Sequence, residues 1–233
     1  MIATKRPAAP FFRAPRSLGA LAGLAFLAIA SCSEAGGPSG ANGDVKVDPF
    51  IGDIVMGDPN APVEIVEYAS LTCPHCRDFW KQQFPVLKER YVDTGKARYI
   101  LRDFPTPPVE VAAAGAAIAR CKGKDKYYEI VDDIFSSYRE MIEAAQSAQG
   151  AGPVLVAIGG RHGLSPDEVR ACVNDPDLQR FFEKTVADAA GRVSSTPTLF
   201  VDDVVVENHT IENLTAAIEA KLNPGAAPPA PAQ

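Results

Sequence analysis

Residues 62–76 read PVEIVEYASLTCPHC, and this stretch decides the fold. Its first half, Val63 to Ala69, is β-branched and mostly apolar, which predicts a central strand covered on both faces. The strand runs directly into Cys73-Pro74-His75-Cys76. Residues 77–95 then predict a helix, because proline is favoured in the first turn of a helix, and Pro85 is expected to kink it. Residues 97–103 (ARYILRD) predict a second strand, so the segment is a β-α-β unit around a CxxC motif.

The rest of the chain predicts a helical insertion followed by two strands and a helix. About residues 108–192 favour helix, including one helix predicted over Lys126–Gln146 and a capping box that begins at Ser165. The strand pattern returns at 198–201 and 204–206, and residues 210–222 predict a closing helix. Strands mixed with helices on both faces indicate an α/β layer fold with the order β-α-β, insertion, β-β-α.

Composition limits the classes of function. The chain has 233 residues, of which 46% are hydrophobic and 22% charged, as in globular proteins. Its formal net charge is −6, so it carries no general basic surface, and we expect no nucleic-acid partner held through phosphate contacts. There are five cysteines, and one of them, Cys32, lies in an N-terminal export segment.

The N-terminal segment predicts export. A basic start is followed by uncharged, mostly apolar residues 18–30, which are too few to span a bilayer but suit the core of a signal peptide over 1–31. Two endings remain open. Ala28-Ile29-Ala30 is an A-x-A cleavage site, whereas Ile29-Ala30-Ser31-Cys32 resembles a bacterial lipobox in which Cys32 is acylated. Acylation would anchor the protein to a membrane without a spanning helix.

Composition also divides the remainder of the chain. Residues 32–48 are small and polar and predict a flexible tether. A folded unit is expected over 49–223, and the Pro/Ala-rich residues 224–233 predict a disordered tail. Export places the remaining cysteines in an oxidising, periplasmic or other extracytoplasmic compartment.

The CxxC motif predicts thiol chemistry at Cys73. The start of a helix favours an anion, so the pKa of this thiol should be lowered. Cys76 lies one turn further along the helix and can close a disulfide with it, while His75 can add positive charge and an N–H donor. Two alternatives are a zinc site and a purely structural disulfide. A zinc site usually needs a second nearby Cys/His pair, and a structural disulfide rarely closes so short a loop at a helix start.

These motifs resemble one family. EYASLTCPHC after a strand, then a helical insertion, then STPTLFV is similar to the DsbA family of exported thiol oxidoreductases, which have a thioredoxin fold. The resemblance covers about residues 50–222. It implies that Cys73 is the nucleophilic cysteine and Cys76 the resolving one, with Pro74 and His75 as the dipeptide typical of the family.

The resemblance also implies roles for three residues outside the motif. Pro197 matches the family's cis-proline next to the disulfide, although the residues alone would predict an ordinary trans turn. Thr196 would then offer a backbone edge to an extended substrate peptide in the groove. Glu67 matches the family's buried acid beneath the disulfide, with a raised pKa suited to proton transfer. The alternative is a solvated glutamate on the strand.

Cys121 and Cys172 both fall in the helical insertion. Relatives with two such cysteines tend to have a second, structural disulfide, and an oxidising compartment favours that pairing. The alternative is two independent buried thiols.

The resulting hypothesis is a protein disulfide oxidoreductase that donates the Cys73–Cys76 disulfide to exported proteins. It needs no organic cofactor and no metal, is expected to be a monomer, and would be reoxidised by a quinone-linked membrane partner, as the family implies. A reductase or isomerase remains an alternative, since threonine before the proline also occurs in such relatives. A lipoprotein binding module or holdase that uses the groove without turnover is the other alternative.

Overall fold

A five-stranded sheet with β2 at its centre organises residues 45–225, the part of the chain that this computed structural model describes. β2 pairs in parallel with β3 and antiparallel with β4, while β1 and β5 pair antiparallel at the two edges. The spatial order is β1-β3-β2-β4-β5. The strands are β1 (Val55–Met56), β2 (Val63–Ala69), β3 (Ala97–Asp103), β4 (Thr198–Val201) and β5 (Val204–Val205).

Helices fill the intervals between the strands in the predicted order, so the α/β fold with a helical insertion is confirmed. Between β3 and β4 the described chain forms six helices, and α9 closes the fold. The helices are α1 (Pro74–Gln82), α2 (Phe84–Leu87), α3 (Val109–Cys121), α4 (Lys124–Ser136), α5 (Tyr138–Ala145), α6 (Gly152–Arg161), α7 (Pro166–Val173), α8 (Pro176–Asp188) and α9 (Ile211–Leu222).

Two of the predicted helices are interrupted. The predicted kink at Pro85 is present, because α1 ends at Gln82 and α2 begins afresh at Phe84. The single helix predicted over Lys126–Gln146 is wrong, since Ser137 separates α4 from α5. There Arg161 of α6 donates a hydrogen bond to the Ser137 hydroxyl over 2.9 Å. This contact comes from a distant segment, which a local pattern cannot reveal.

The insertion packs tightly against the chain that leads into the CxxC motif. α3 contacts α4, α6 and α7, and its alanines are largely buried. Gly115 of α3 lies so close to the sheet that an added Cβ would be 3.3 Å from Cδ1 of Leu71. The small side chains of α3 therefore let the insertion support residues 70–72 directly. The predicted capping box at Ser165 is also present, since its hydroxyl accepts from Glu168 N–H at 3.2 Å.

A buried ion pair joins the end of β3 to α3. Arg120 Nε donates to Asp103 over 2.7 Å, and the two side chains are 1% and 2% exposed. The guanidinium also donates to the carbonyl oxygens of Phe50 and Gly52, and Tyr127 donates to the second carboxylate oxygen of Asp103. Each charged group is thus hydrogen-bonded, which is what makes burial of both charges tolerable.

Several sequence predictions fall on residues that lie outside the described range. They are the signal peptide over 1–31, the lipidation site Cys32, residues 32–44 of the predicted tether (32–48), and residues 226–233 of the predicted tail (224–233). Within residues 45–225, no helix is both long and apolar enough to cross a membrane.

Asp103→Asn tests the buried pair. The substitution leaves the Arg120 charge buried without its counter-charge, so the free energy of unfolding should fall by about 3–5 kcal/mol. Asp188→Asn is the matched control, because Asp188 pairs with Lys184 at the surface and its loss should cost about 1 kcal/mol or less. Chemical denaturation measures both. Equal losses in the two variants would contradict the importance of the buried pair.

Candidate active site

The two cysteines of the motif lie where β2 gives way to α1. Cys73 has extended backbone geometry and is the N-cap of α1, and Cys76 lies within the first turn. Both are free thiols, with Cys73 8% exposed and Cys76 fully buried. Both cysteines are thus buried, and only Cys73 keeps a small exposed fraction.

Hydrogen bonds lower the pKa of the Cys73 thiol from 9.0 to about 5. The largest contribution is a hydrogen bond from the Cys76 thiol, followed by the Thr196 side chain and the backbone N–H groups of Cys76 and His75; burial acts in the opposite direction. These donors stabilise the thiolate, as expected for a sulfur at the start of a helix. His75 contributes through its backbone, while its side chain and that of Pro74 are exposed.

The neighbouring thiol behaves in the opposite way. Burial raises the pKa of Cys76 far above its ordinary range, and its hydrogen bond to Cys73 and the negative charges of Glu67 and Cys73 raise it further. Cys76 therefore stays protonated and can donate to its partner. Two thiols one helical turn apart thus differ sharply in acidity.

Glu67 lies beneath the two sulfurs on the inner face of β2. It is 1% exposed, and its carboxyl accepts a hydrogen bond from the Tyr99 hydroxyl on β3. Burial raises its pKa from 4.5 to about 8; the hydrogen bond from Tyr99 opposes this shift, and the Cys73 charge adds to it. Glu67 therefore holds a proton near neutral pH, in the electrostatic range of both cysteines. The solvated alternative for this glutamate is wrong.

The loop before β4 completes the site. The Thr196–Pro197 peptide bond is cis. The Cys73 thiol donates a hydrogen bond to the Thr196 carbonyl oxygen over 3.2 Å. Residues separated by 123 positions in sequence are thereby in direct contact, as the family resemblance implies.

The structure also brings in residues that sequence reasoning missed. Thr72 donates to the carbonyl oxygen of Thr106 over 3.0 Å, and the Tyr138 hydroxyl at the start of α5 donates to the carbonyl oxygen of Thr72 over 3.2 Å. The guanidinium of Arg77 lies 4.6 Å from the centre of the Tyr138 ring. No local signal distinguishes a tyrosine that packs from one that reaches the loop before the nucleophile.

Cys121 and Cys172 form a disulfide between α3 and α7, with their Cα atoms 5.9 Å apart. It lies apart from the Cys73–Cys76 pair, inside the insertion. Within residues 45–225, no group of three or more His, Cys, Asp or Glu side chains is arranged to hold a metal ion.

Comparison with known proteins identifies the family to which this arrangement belongs. A sequence profile described as thioredoxin matches residues 50–220. The chain belongs to the thioredoxin family. The helical insertion and the CPHC motif place it with the DsbA-type members, so the resemblance seen in the sequence is confirmed.

Individual relatives agree with this placement. A Rickettsia bellii protein named as a protein-disulfide oxidoreductase is 31% identical over 175 residues, which cover 73% of this chain and 64% of the relative. The chain thus spans slightly under two thirds of that relative's length. The crystal structure of Wolbachia pipientis alpha-DsbA1 has a TM-score of 0.64 and 27% identity, and the match covers 73% of this chain and 91% of that one. A Bacillus cereus protein named for disulfide bond formation is 34% identical over 91 residues, covering 38% of this chain and 42% of the relative.

The acidity of Cys73 can be measured in the reduced protein. Ultraviolet absorbance of the thiolate should titrate with a midpoint near pH 5, because hydrogen bonds stabilise that anion. The transition should disappear in Cys73→Ser and persist in Cys32→Ser. A midpoint close to 9.0, the ordinary value for a thiol, would contradict the stabilisation.

Glu67→Gln tests the buried carboxyl through stability. A group whose pKa rises from 4.5 in the unfolded chain to about 8 in the folded protein binds more protons when folded. Burial, the largest cause of this shift, persists in the oxidised protein, so its free energy of unfolding should fall as pH rises through the window above the ordinary pKa of a carboxyl. Glu67→Gln should flatten this slope and stabilise the protein by roughly 1–3 kcal/mol above the window. Glu64→Gln is the control. Glu64 lies on the same strand but is only partly buried and pairs with Arg98, so the free energy of unfolding of this variant should depend on pH as that of the wild type does.

Proposed function

We propose that this protein is an exported thiol:disulfide oxidoreductase that donates the Cys73–Cys76 disulfide to substrate proteins. The observation that carries the proposal is the contrast between the two thiols. The pKa of Cys73 is lowered to about 5 while that of Cys76 is raised. A stable Cys73 thiolate stabilises the reduced form, which makes the disulfide a stronger oxidant. The names of the Rickettsia and Wolbachia proteins support the same class of reaction.

The first step opens the disulfide of the oxidised protein. A substrate thiolate attacks Cys73 Sγ, a new S–S bond forms, and the Cys73–Cys76 bond breaks with its electron pair on Cys76. The leaving sulfur is buried and strongly disfavours negative charge, so it needs a proton. Glu67, whose pKa is raised chiefly by burial, is the nearby acid that can supply one.

The second step releases the oxidised substrate. Another thiolate of the substrate attacks the substrate sulfur bonded to Cys73, and Cys73 leaves as a thiolate. Departure is easy because the pKa of Cys73 is about 5. The substrate has lost two electrons and gained a disulfide, and the protein has gained both electrons as a thiolate–thiol pair.

The substrate groove would lie along the loop before β4. An extended peptide next to Cys73 would meet Thr196 and Pro197, and the main chain at Thr196 would supply a strand edge for backbone pairing. Hydrogen bonds to the main chain of a substrate do not depend on the identity of its side chains. Such recognition would suit a protein that acts on many unfolded substrate proteins.

Export and anchoring are part of the proposal and rest on the sequence alone. The leader-like residues 1–31 and the lipobox at Cys32 support a lipid-anchored protein in the periplasm or another extracytoplasmic space. The Cys121–Cys172 disulfide suits such an oxidising compartment. The protein would act as a monomer, and turnover would require an electron acceptor, for which a quinone-linked membrane partner is proposed.

The redox potential of the Cys73–Cys76 pair tests the direction of transfer. The full-length protein is equilibrated in glutathione buffers, and the Cys121–Cys172 pair is followed separately by mass. A potential well above the glutathione couple is expected for a disulfide donor. A value of about −270 mV, that of thioredoxin, would overturn the donor proposal in favour of a reductase or isomerase.

Cysteine variants test whether turnover occurs at all. Cys73→Ser should reduce disulfide transfer to a reduced client protein to the uncatalysed rate. Cys76→Ser should accumulate a mixed disulfide with an oxidised client, because the Cys73 thiolate attacks the client disulfide, one client sulfur leaves as a thiolate, and no Cys76 thiol remains to attack Cys73 and release the client. Cys32→Ser is the control and should keep full activity in solution. If the client stayed protected from aggregation by Cys73→Ser without ever becoming oxidised, the protein would instead be a holdase.

A further inference from the structure

One tyrosine of the helical insertion touches the chain on both sides of the CPHC motif. The Tyr138 hydroxyl donates a hydrogen bond over 3.2 Å to the carbonyl oxygen of Thr72, the residue before Cys73. The guanidinium of Arg77, the residue after Cys76, lies 4.6 Å from the centre of the Tyr138 ring. A single side chain, 66 positions from Thr72 in sequence, therefore contacts both residues that flank the motif.

The hydroxyl acts on the peptide group that leads into the nucleophile. The carbonyl oxygen of Thr72 and the N–H of Cys73 belong to one planar peptide unit. The oxygen accepts from Tyr138, and the N–H donates to the carbonyl oxygen of Ser70 over 3.0 Å. Because both polar atoms of this unit are bonded, its orientation is fixed, and with it the direction in which the chain enters α1.

The break between α4 and α5 sets the position of this tyrosine. Tyr138 is the first residue of α5 and follows Ser137, whose hydroxyl accepts from Arg161 of α6 over 2.9 Å. Met141, about one turn further along α5, is fully buried. Burial, opposed by the charge of Arg77, raises the pKa of Tyr138 above its ordinary value of 10.0. The hydroxyl therefore keeps its proton and can donate throughout the neutral range.

The contacts of Tyr138 matter more in one redox state than in the other. In the oxidised protein, the Cys73–Cys76 bond itself constrains the first turn of α1. In the reduced protein that covalent constraint is absent, and noncovalent contacts alone keep Cys73 at the N-cap, where N–H groups of the helix start stabilise its thiolate. A contact that fixes the main chain at Thr72 lowers the entropic cost of this arrangement, so it stabilises the reduced form more than the oxidised form.

We propose that Tyr138 is a positioning residue of the redox centre, which holds the peptide group before Cys73 in the orientation that the reduced site requires. It acts through the main chain of Thr72, to which its hydroxyl is bonded. The inference rests on the proposed function, because stabilising the reduced form makes the Cys73–Cys76 disulfide a stronger donor. The insertion would thereby tune the reaction.

Tyr138→Phe removes the hydroxyl and keeps the aromatic ring. In the full-length protein, the equilibrium of the Cys73–Cys76 pair with glutathione should show a weaker oxidant by roughly two- to tenfold, the range for one neutral hydrogen bond. The free energy of unfolding, measured by chemical denaturation in each redox state, should fall more in the reduced form than in the oxidised form. Mass measurement confirms that the Cys121–Cys172 disulfide is intact in both samples.

Tyr91→Phe is the matched control. Tyr91 lies between α2 and β3, and its hydroxyl donates to the Glu219 carboxylate of α9 over 2.9 Å. Its loss should destabilise both redox states equally and leave the glutathione equilibrium unchanged. The change in that equilibrium equals the difference between the losses of stability in the two redox states. A tyrosine with a merely structural role therefore cannot produce the pattern expected for Tyr138.

Amide hydrogen exchange gives a local readout at the same peptide group. The N–H of Cys73, which donates to Ser70, should exchange faster in reduced Tyr138→Phe than in the reduced wild type. Its rate should be the same in the two oxidised proteins. Tyr91→Phe shows how much of any change comes from a general loss of stability.

Equal losses of stability in the two redox states of Tyr138→Phe, with an unchanged glutathione equilibrium, would overturn the inference. A stronger oxidant, or unchanged exchange of the Cys73 N–H in the reduced form, would overturn it too. These results would leave the proposed function intact, since the Cys73–Cys76 pair would still exchange with glutathione. Failure of the wild-type pair to form an exchangeable disulfide would instead overturn the proposed function itself.

Discussion

The active site depends on the antiparallel pairing of β2 with β4. Tyr68 near the end of β2 lies opposite Thr198 at the start of β4, so the segment after one strand must meet the segment before the other. This geometry brings Cys73 onto Thr196 although they are far apart in sequence. β3 runs parallel to β2 and ends at the same edge, where Phe104 N–H donates to the carbonyl oxygen of Ala69 over 2.8 Å. Three segments therefore meet at the edge of the sheet from which the chain leads to Cys73.

The two cysteines differ in acidity because residues 73–76 place their thiols in two different environments. Cys73 at the helix start meets hydrogen-bond donors, which favour its anion, whereas burial and the negative charge of Glu67 disfavour the anion of Cys76. Glu67 itself is kept protonated near neutral pH by burial. The charge of each group affects the pKa values of the other two, so thiol–disulfide exchange depends on all three groups together.

The helical insertion does more than cover the sheet. Gly115 lets α3 approach Leu71, and Tyr138 reaches the carbonyl oxygen of Thr72, so the insertion holds the residues that precede the nucleophile. Its own rigidity comes from the buried Asp103–Arg120 pair and from the disulfide at Cys121, the residue next to Arg120. The insertion therefore links the stability of the fold to the position of the catalytic thiol.

The sequence by itself determined the strand before Cys73, the order of the elements and the break at Pro85, because these follow from local composition and backbone chemistry. The acidity expected of Cys73 also follows from its place at a helix start. Only the tertiary structure decided which distant groups surround the sulfurs. The hydrogen bond from Tyr99 to Glu67 leaves no local signal, and neither does the one from Tyr138 to the carbonyl oxygen of Thr72, because each depends on a partner that folding brings close.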